Sequence, residues 1–82
     1  IAVIIDKDIL EKRVYINLVS HDAEDNSWQF LNSKSIKEEN ARVVSLLEVV
    51  ELDPSILELA DLPKGWKAIR KDKNSSWGKS SA

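Results

Sequence analysis

Residues Leu46 to Trp77 read LLEVVELDPSILELADLPKGWKAIRKDKNSSW, and the punctuation of this stretch decides the fold. Asp53 followed by Pro54 is a helix start: the carboxylate accepts from free backbone N–H groups of the first turn, and proline fits the first helical position without losing a bond. Leu52 before the cap and Leu57 after it are spaced to close as a hydrophobic staple. Ile56, Leu57, Leu59 and Ala60 form the apolar side of a short helix, with Ser55, Glu58 and Asp61 outward, and Pro63 biases Leu62 out of helical dihedrals. Upstream, Ser45 caps a run in which Leu46, Leu47, Val49 and Val50 face inward and Glu48 and Glu51 outward. Two short helices therefore meet at Asp53, and packing of their leucine faces must hold them, since helices of this length are marginal in water.

The quartet Leu62-Pro63-Lys64-Gly65 has proline and glycine where a type I turn prefers them, so the chain reverses before Trp66. Beyond it, Trp66, Ala68 and Arg70 fall on one side of an extended segment and Lys67 and Ile69 on the other. Apolar residues stand on both sides, and the alternation does not say which is buried.

Working outward, Ile1 to Ile5 is a continuous apolar run that suits a strand covered on both faces. Val14, Ile16 and Leu18 alternate with Arg13, Tyr15 and Asn17 as in a half-buried strand. These two strands read as an antiparallel pair joined around Lys7 to Lys12. Ser27 to Leu31 resumes strand-like residues with Trp28 and Phe30 on one face. Asn32 to Asn40 reads as a loop, and Ala41 to Val44 as either a short strand or the lead-in to the next helix. Strands, then a helical pair, then a strand predict one α+β domain over residues 1–70. Its sheet is mostly antiparallel with 3–5 strands, and two short helices pack on one face. Residues 71–82, rich in Ser, Lys and Asn, are expected as a polar and partly mobile tail.

With 82 residues, 32% of them charged and 43% hydrophobic, the chain has the composition of a single small globular domain. It contains no cysteine, which removes disulfides, thiolate metal sites and thiol nucleophiles and fits a reducing compartment; a cytoplasmic location is expected. No apolar run approaches the length of a membrane span. Methionine is also absent, the initiator included, so the chain is expected to begin inside its native sequence. The net charge of −2 hides a division. Residues 1–63 hold six Lys or Arg against thirteen Asp or Glu, and residues 64–82 hold six against one. Such asymmetry is a cue for an interacting segment.

Several elements together resemble a family of small bacterial domains, long catalogued as of unknown function and now grouped with the immunity proteins of polymorphic toxin systems. They are Asp25-Asn26-Ser27-Trp28-Gln29-Phe30, the Asp53-Pro54-Ser55 helix start, Leu62-Pro63-Lys64-Gly65-Trp66 with Ala68 and Arg70, and Asn74-Ser75-Ser76-Trp77. The chain departs from the family pattern at Ser27, where glycine is usual, and in a short loop from Ser33 to Asn40. The resemblance implies a domain that binds and blocks a cognate toxin, and it carries over no catalytic residue.

Three functional classes can be weighed on the residues themselves. A non-enzymatic protein-binding domain is motivated by three Trp in so small a chain, because Trp is favoured as an interface anchor. Its candidate contact residues are Trp66, Arg70, Lys71, Lys73 and Trp77, although burial tendencies favour Trp28 and Trp66 as core filler and Trp77 as docked back onto the domain. Nucleic-acid contact by the same basic segment is the alternative, since Lys64, Lys67, Arg70, Lys71 and Lys73 interleave with Trp66 and Trp77. The net negative charge weighs against it. A metal or catalytic site at His21, Asp22, Glu24 and Asp25 fits no known ligand spacing, and a hydrated acidic turn explains those residues. No cofactor, no catalytic residue and no membrane association are therefore expected.

Overall fold

A computed structural model describes residues 1–81. Its local starts follow the capping residues. The hydroxyl of Ser45 accepts from the Glu48 N–H at 3.2 Å and opens α2 (Leu46–Leu52). The Asp53 carboxylate accepts from the Ser55 N–H at 3.0 Å and opens a 3₁₀ segment (Pro54–Leu59). The second helix is thus tighter than the α-helix read from the sequence. With three residues per turn its side chains eclipse at i, i+3, so Ile56, Leu59 and Leu62 point together into the core. Leu57, read as an inward residue and half of a staple, is instead turned out and 60% exposed.

Six strands make one sheet, more than the 3–5 expected: β1 (Ala2–Asp6), β2 (Leu18–His21), β3 (Trp28–Leu31), β4 (Ala41–Ser45), β5 (Trp66–Ile69) and β6 (Gly78–Ser81). Their order is β4-β1-β3-β2-β5-β6. All neighbours are antiparallel except β1 and β3, which run parallel. Ile5, Phe30, Val19 and Ala68 sit side by side across the four central strands. Together with Val3 they form the floor of the core, and Val49, Ile56, Leu59 and Leu62 close it from above. The helices therefore lie on one face, as an α+β layer pair requires. On the opposite face Val43 and Ile69 are 74% and 52% exposed.

Three expectations are corrected. β1 and β2 do not form a hairpin, because β3 lies between them and a further helix, α1 (Lys7–Leu10), occupies the connection. Asp6 caps α1 by accepting from the Asp8 N–H at 2.7 Å. Second, β2 begins at Leu18 and not at Val14. The expected alternation does not hold either: Ile16 and Asn17 are both buried, Val14, Tyr15 and Leu18 are half-buried, and Val19 is the residue that enters the core. The Tyr15 carbonyl accepts from the Asn32 amide at 2.9 Å and the Ile16 carbonyl from Arg70 Nε at 2.8 Å. Side chains satisfy a backbone that a neighbouring strand was expected to satisfy. Third, residues 71–81 belong to the domain: Gly78–Ser81 pairs along β5, and Lys79 meets Asp61 at 3.1 Å. Ala82, the last residue of the expected tail, lies outside the described residues.

The reversal before β5 is also shifted by one residue. The Trp66 N–H donates to the Pro63 carbonyl at 3.1 Å, which puts Gly65, at φ +81°, in the third position of the turn. A type II turn needs a left-handed residue there, and glycine takes that conformation without a Cβ clash. Among the described residues no helix is long and apolar enough to cross a membrane.

Candidate functional site

Arg70 follows β5 on the side of Ala68 and Trp66, which settles the orientation the alternation left open: that side faces the core. An arginine buried there must have its charge and its donors matched. Its Nη2 pairs with the Asp53 carboxylate, and Nη1 donates to Ser55 Oγ at 2.9 Å and to the Lys73 carbonyl at 3.2 Å. Nε reaches the Ile16 carbonyl, as above. The guanidinium carbon lies 4.3 Å from the centre of the Trp77 ring and 6.0 Å from that of Tyr15, within cation–π range of both. The Tyr15 hydroxyl in turn donates to the Lys71 carbonyl at 3.1 Å, and Trp77 Nε1 to Ser55 Oγ at 3.4 Å. One side chain thus ties together the segment before β2, the joint between the two helices and the loop from Lys71 to Trp77.

Asp53 feels opposing influences. Burial pushes its carboxyl up, while hydrogen bonds from Ser55 and Arg70 and the charge of the guanidinium pull it down, and the net shift is downward. A carboxyl depressed in the folded state adds stability that is fully present above its unfolded value near 3.8 and is lost as pH falls through the folded value. Arg70 stays charged throughout. Urea melts between pH 7 and pH 2 should therefore show an acid-induced loss below about pH 4 that is shallower in Asp53→Asn. Equal acid slopes would exclude the pair as a contributor.

In front of this pin lies a groove of ≈ 580 Å³. Ile9, Ile16 and Leu52 contribute apolar wall, Tyr15 and Asp53 line it, and Lys12, Arg13 and Lys73 supply the cations. Lys12 closes α1 in a Schellman arrangement: its N–H donates to the Ile9 carbonyl, and that of Arg13 to the Asp8 carbonyl. That arrangement holds Lys12 at φ +61°, where an L-residue pays roughly 1 kcal/mol or more and glycine is the usual occupant.

Of the candidate contact residues, Lys71 and Lys73 are exposed at this site and Trp77 is half-buried against Arg70. Arg70 itself is withdrawn from the surface, its side chain 1% exposed. Trp66 sits at the far end of β5, about 13 Å along the strand from Arg70, and the structure does not bring it to the groove. Lys12, Arg13, Tyr15 and the Asp53–Ser55 pair were missed as site residues. A Lys-Arg pair at the mouth of an alternating run was the only available signal.

The acidic turn is engaged in its own geometry. Asp22 accepts from the Glu24 N–H at 2.7 Å and Asp25 from the Ser27 N–H at 3.0 Å. His21 is buried, stacked on Trp28 at 4.0 Å between ring centres. Its Nδ1 donates to the Leu62 carbonyl at 2.7 Å, and Nε2 faces the Asn26 amide at 2.7 Å.

In comparisons with family models, curated proteins and solved structures, the chain matches none.

Proposed function

We propose that the chain is a non-enzymatic protein-binding domain that acts in the cytoplasm, and that its partner is a cognate toxin of the kind the sequence resemblance implies. The observation that carries this reading is the groove between Lys12 and Lys73, shaped and cationic, whose walls are pinned from behind by Arg70. A pre-ordered contact surface loses little entropy on docking, and Tyr and Arg are residue types that interfaces favour. The engagement of His21 with the Leu62 carbonyl and of Asp22 and Asp25 with nearby backbone N–H groups supports binding in preference to catalysis. Contact with nucleic acid draws less support, because the Trp77 ring that would stack a base is packed on Arg70.

The test is co-purification and calorimetry of the full chain with the toxin encoded beside it. A one-to-one complex that blocks the toxin's action is the expected result. No complex with any neighbouring product would sink the reading.

A further inference from the structure

We infer that the groove recognises an acidic segment of the partner protein, one that sets a carboxylate against Lys12 and Lys73 and lays an adjacent apolar side chain on Val14 and Leu52. The inference rests on the protein-binding reading above and adds the chemistry of what is bound.

The charge balance of the groove runs opposite to that of the chain. Its one lining carboxylate, Asp53, is already compensated from behind by Arg70. Arg13 is shared with Glu11 at 3.2 Å. Lys12 and Lys73 have no ion-pair partner among the described residues. A chain of net charge −2 therefore lines this concavity with three cations and one carboxylate, although Glu48 and Glu51 stand beside Lys12 in the adjoining cleft. The groove's volume of ≈ 580 Å³ falls within the roughly 300–1,000 Å³ range of ligand-binding pockets, space for a few side chains and too little for a folded surface. A carboxylate meets complementary potential there, and an isolated apolar peptide gains nothing from the lysines.

Lys12 is the second, independent observation. It occupies a left-handed position in which glycine is the relaxed choice, so its side chain is present against a conformational cost. Strain of this kind at a cleft points to a use for the residue that bears it.

The experiment is an NMR titration of the full chain with a capped peptide of sequence Asp-Phe-Asp-Leu, beside the same peptide with Asn for Asp. The acidic peptide should shift amides of residues 9–16, 52–54 and 73, and the Asn peptide should bind about tenfold more weakly or worse. Lys12→Gly should raise the melting temperature by about 4 °C or more and yet weaken the acidic peptide about tenfold, with Lys73→Gln adding a further loss. A merely structural lysine would not separate stability from binding in this way. Shifts elsewhere, equal affinity for the Asn peptide, or equal displacement by inorganic phosphate would overturn the inference. Should the toxin complex form equally well with the Lys12→Gly/Lys73→Gln variant, the groove assignment falls while the binding-domain reading stands. If the unaltered chain forms no such complex, that reading itself fails.

Discussion

Replacing Arg70 with Met is expected to cost about 3–5 kcal/mol of unfolding free energy, the size typical of removing one partner from a buried ion pair. Methionine keeps most of the volume and a favourable contact with the Trp77 ring, so the loss is not one of packing. It comes from what stays behind: the Asp53 carboxylate without its counter-charge, and the Ile16 and Lys73 carbonyls without their side-chain donor. Each orphaned buried acceptor costs on the order of 1–3 kcal/mol if water cannot reach it. Small domains have only about 5–15 kcal/mol in total, so the variant should sit near the edge of folding. Urea titration followed by tryptophan fluorescence measures the difference. Adding Asp53→Asn to Arg70→Met should restore part of the loss, because the stranded charge is gone; a strictly additive double variant would mean that the two residues do not act as a pair.

This pin also marks where the amino-acid sequence stops being legible. Both helix starts were readable because capping is local: Ser45 meets Glu48 and Asp53 meets Ser55, each within three positions. The burial of Arg70 was not, because its counter-charge lies 17 positions earlier and the acceptor of its Nε is a carbonyl 54 positions away. Alternation placed Trp66, Ala68 and Arg70 on one side but offered no way to choose between that side and Ile69. Asp53 makes the choice possible, since only a compensated arginine can enter a core.

Strand pairing failed for a related reason. The apolar run Ile1 to Ile5 announces a strand buried on both sides, but nothing in it specifies β3 over β2 as its neighbour, and the parallel pair of β1 and β3 is joined through residues distant in the chain. β6 was unreadable because Gly-Lys-Ser-Ser has no apolar alternation; its pairing rests on backbone hydrogen bonds to β5. In the groove, Lys73 announced itself through the charge division of the chain. Lys12 did not, because its position follows from the left-handed turn that ends α1.

The phase of the 3₁₀ segment supplies the sharpest stability contrast. Leu59→Ala should cost about 2–5 kcal/mol, as buried leucines do when a cavity is left in place of the side chain, for Leu59 is 1% exposed in the centre of the helical layer. Leu57→Ala, two positions earlier, should cost roughly 0.5 kcal/mol or less, as at an open surface. The assignment of Ile56, Leu57, Leu59 and Ala60 to one apolar side turns both leucines inward and predicts comparable losses. A three-residue turn separates them, because Leu59 stays in line with Ile56 and Leu62 while Leu57 rotates to solvent. Urea midpoints at unchanged m-value decide between the two. Comparable losses at both positions would mean that Leu57 is as well buried in solution as Leu59 and that the segment winds in another phase. Its Asp53–Ser55 start would then meet Arg70 in a different geometry, and the wall of the groove at Leu52 to Pro54 would have to be redrawn.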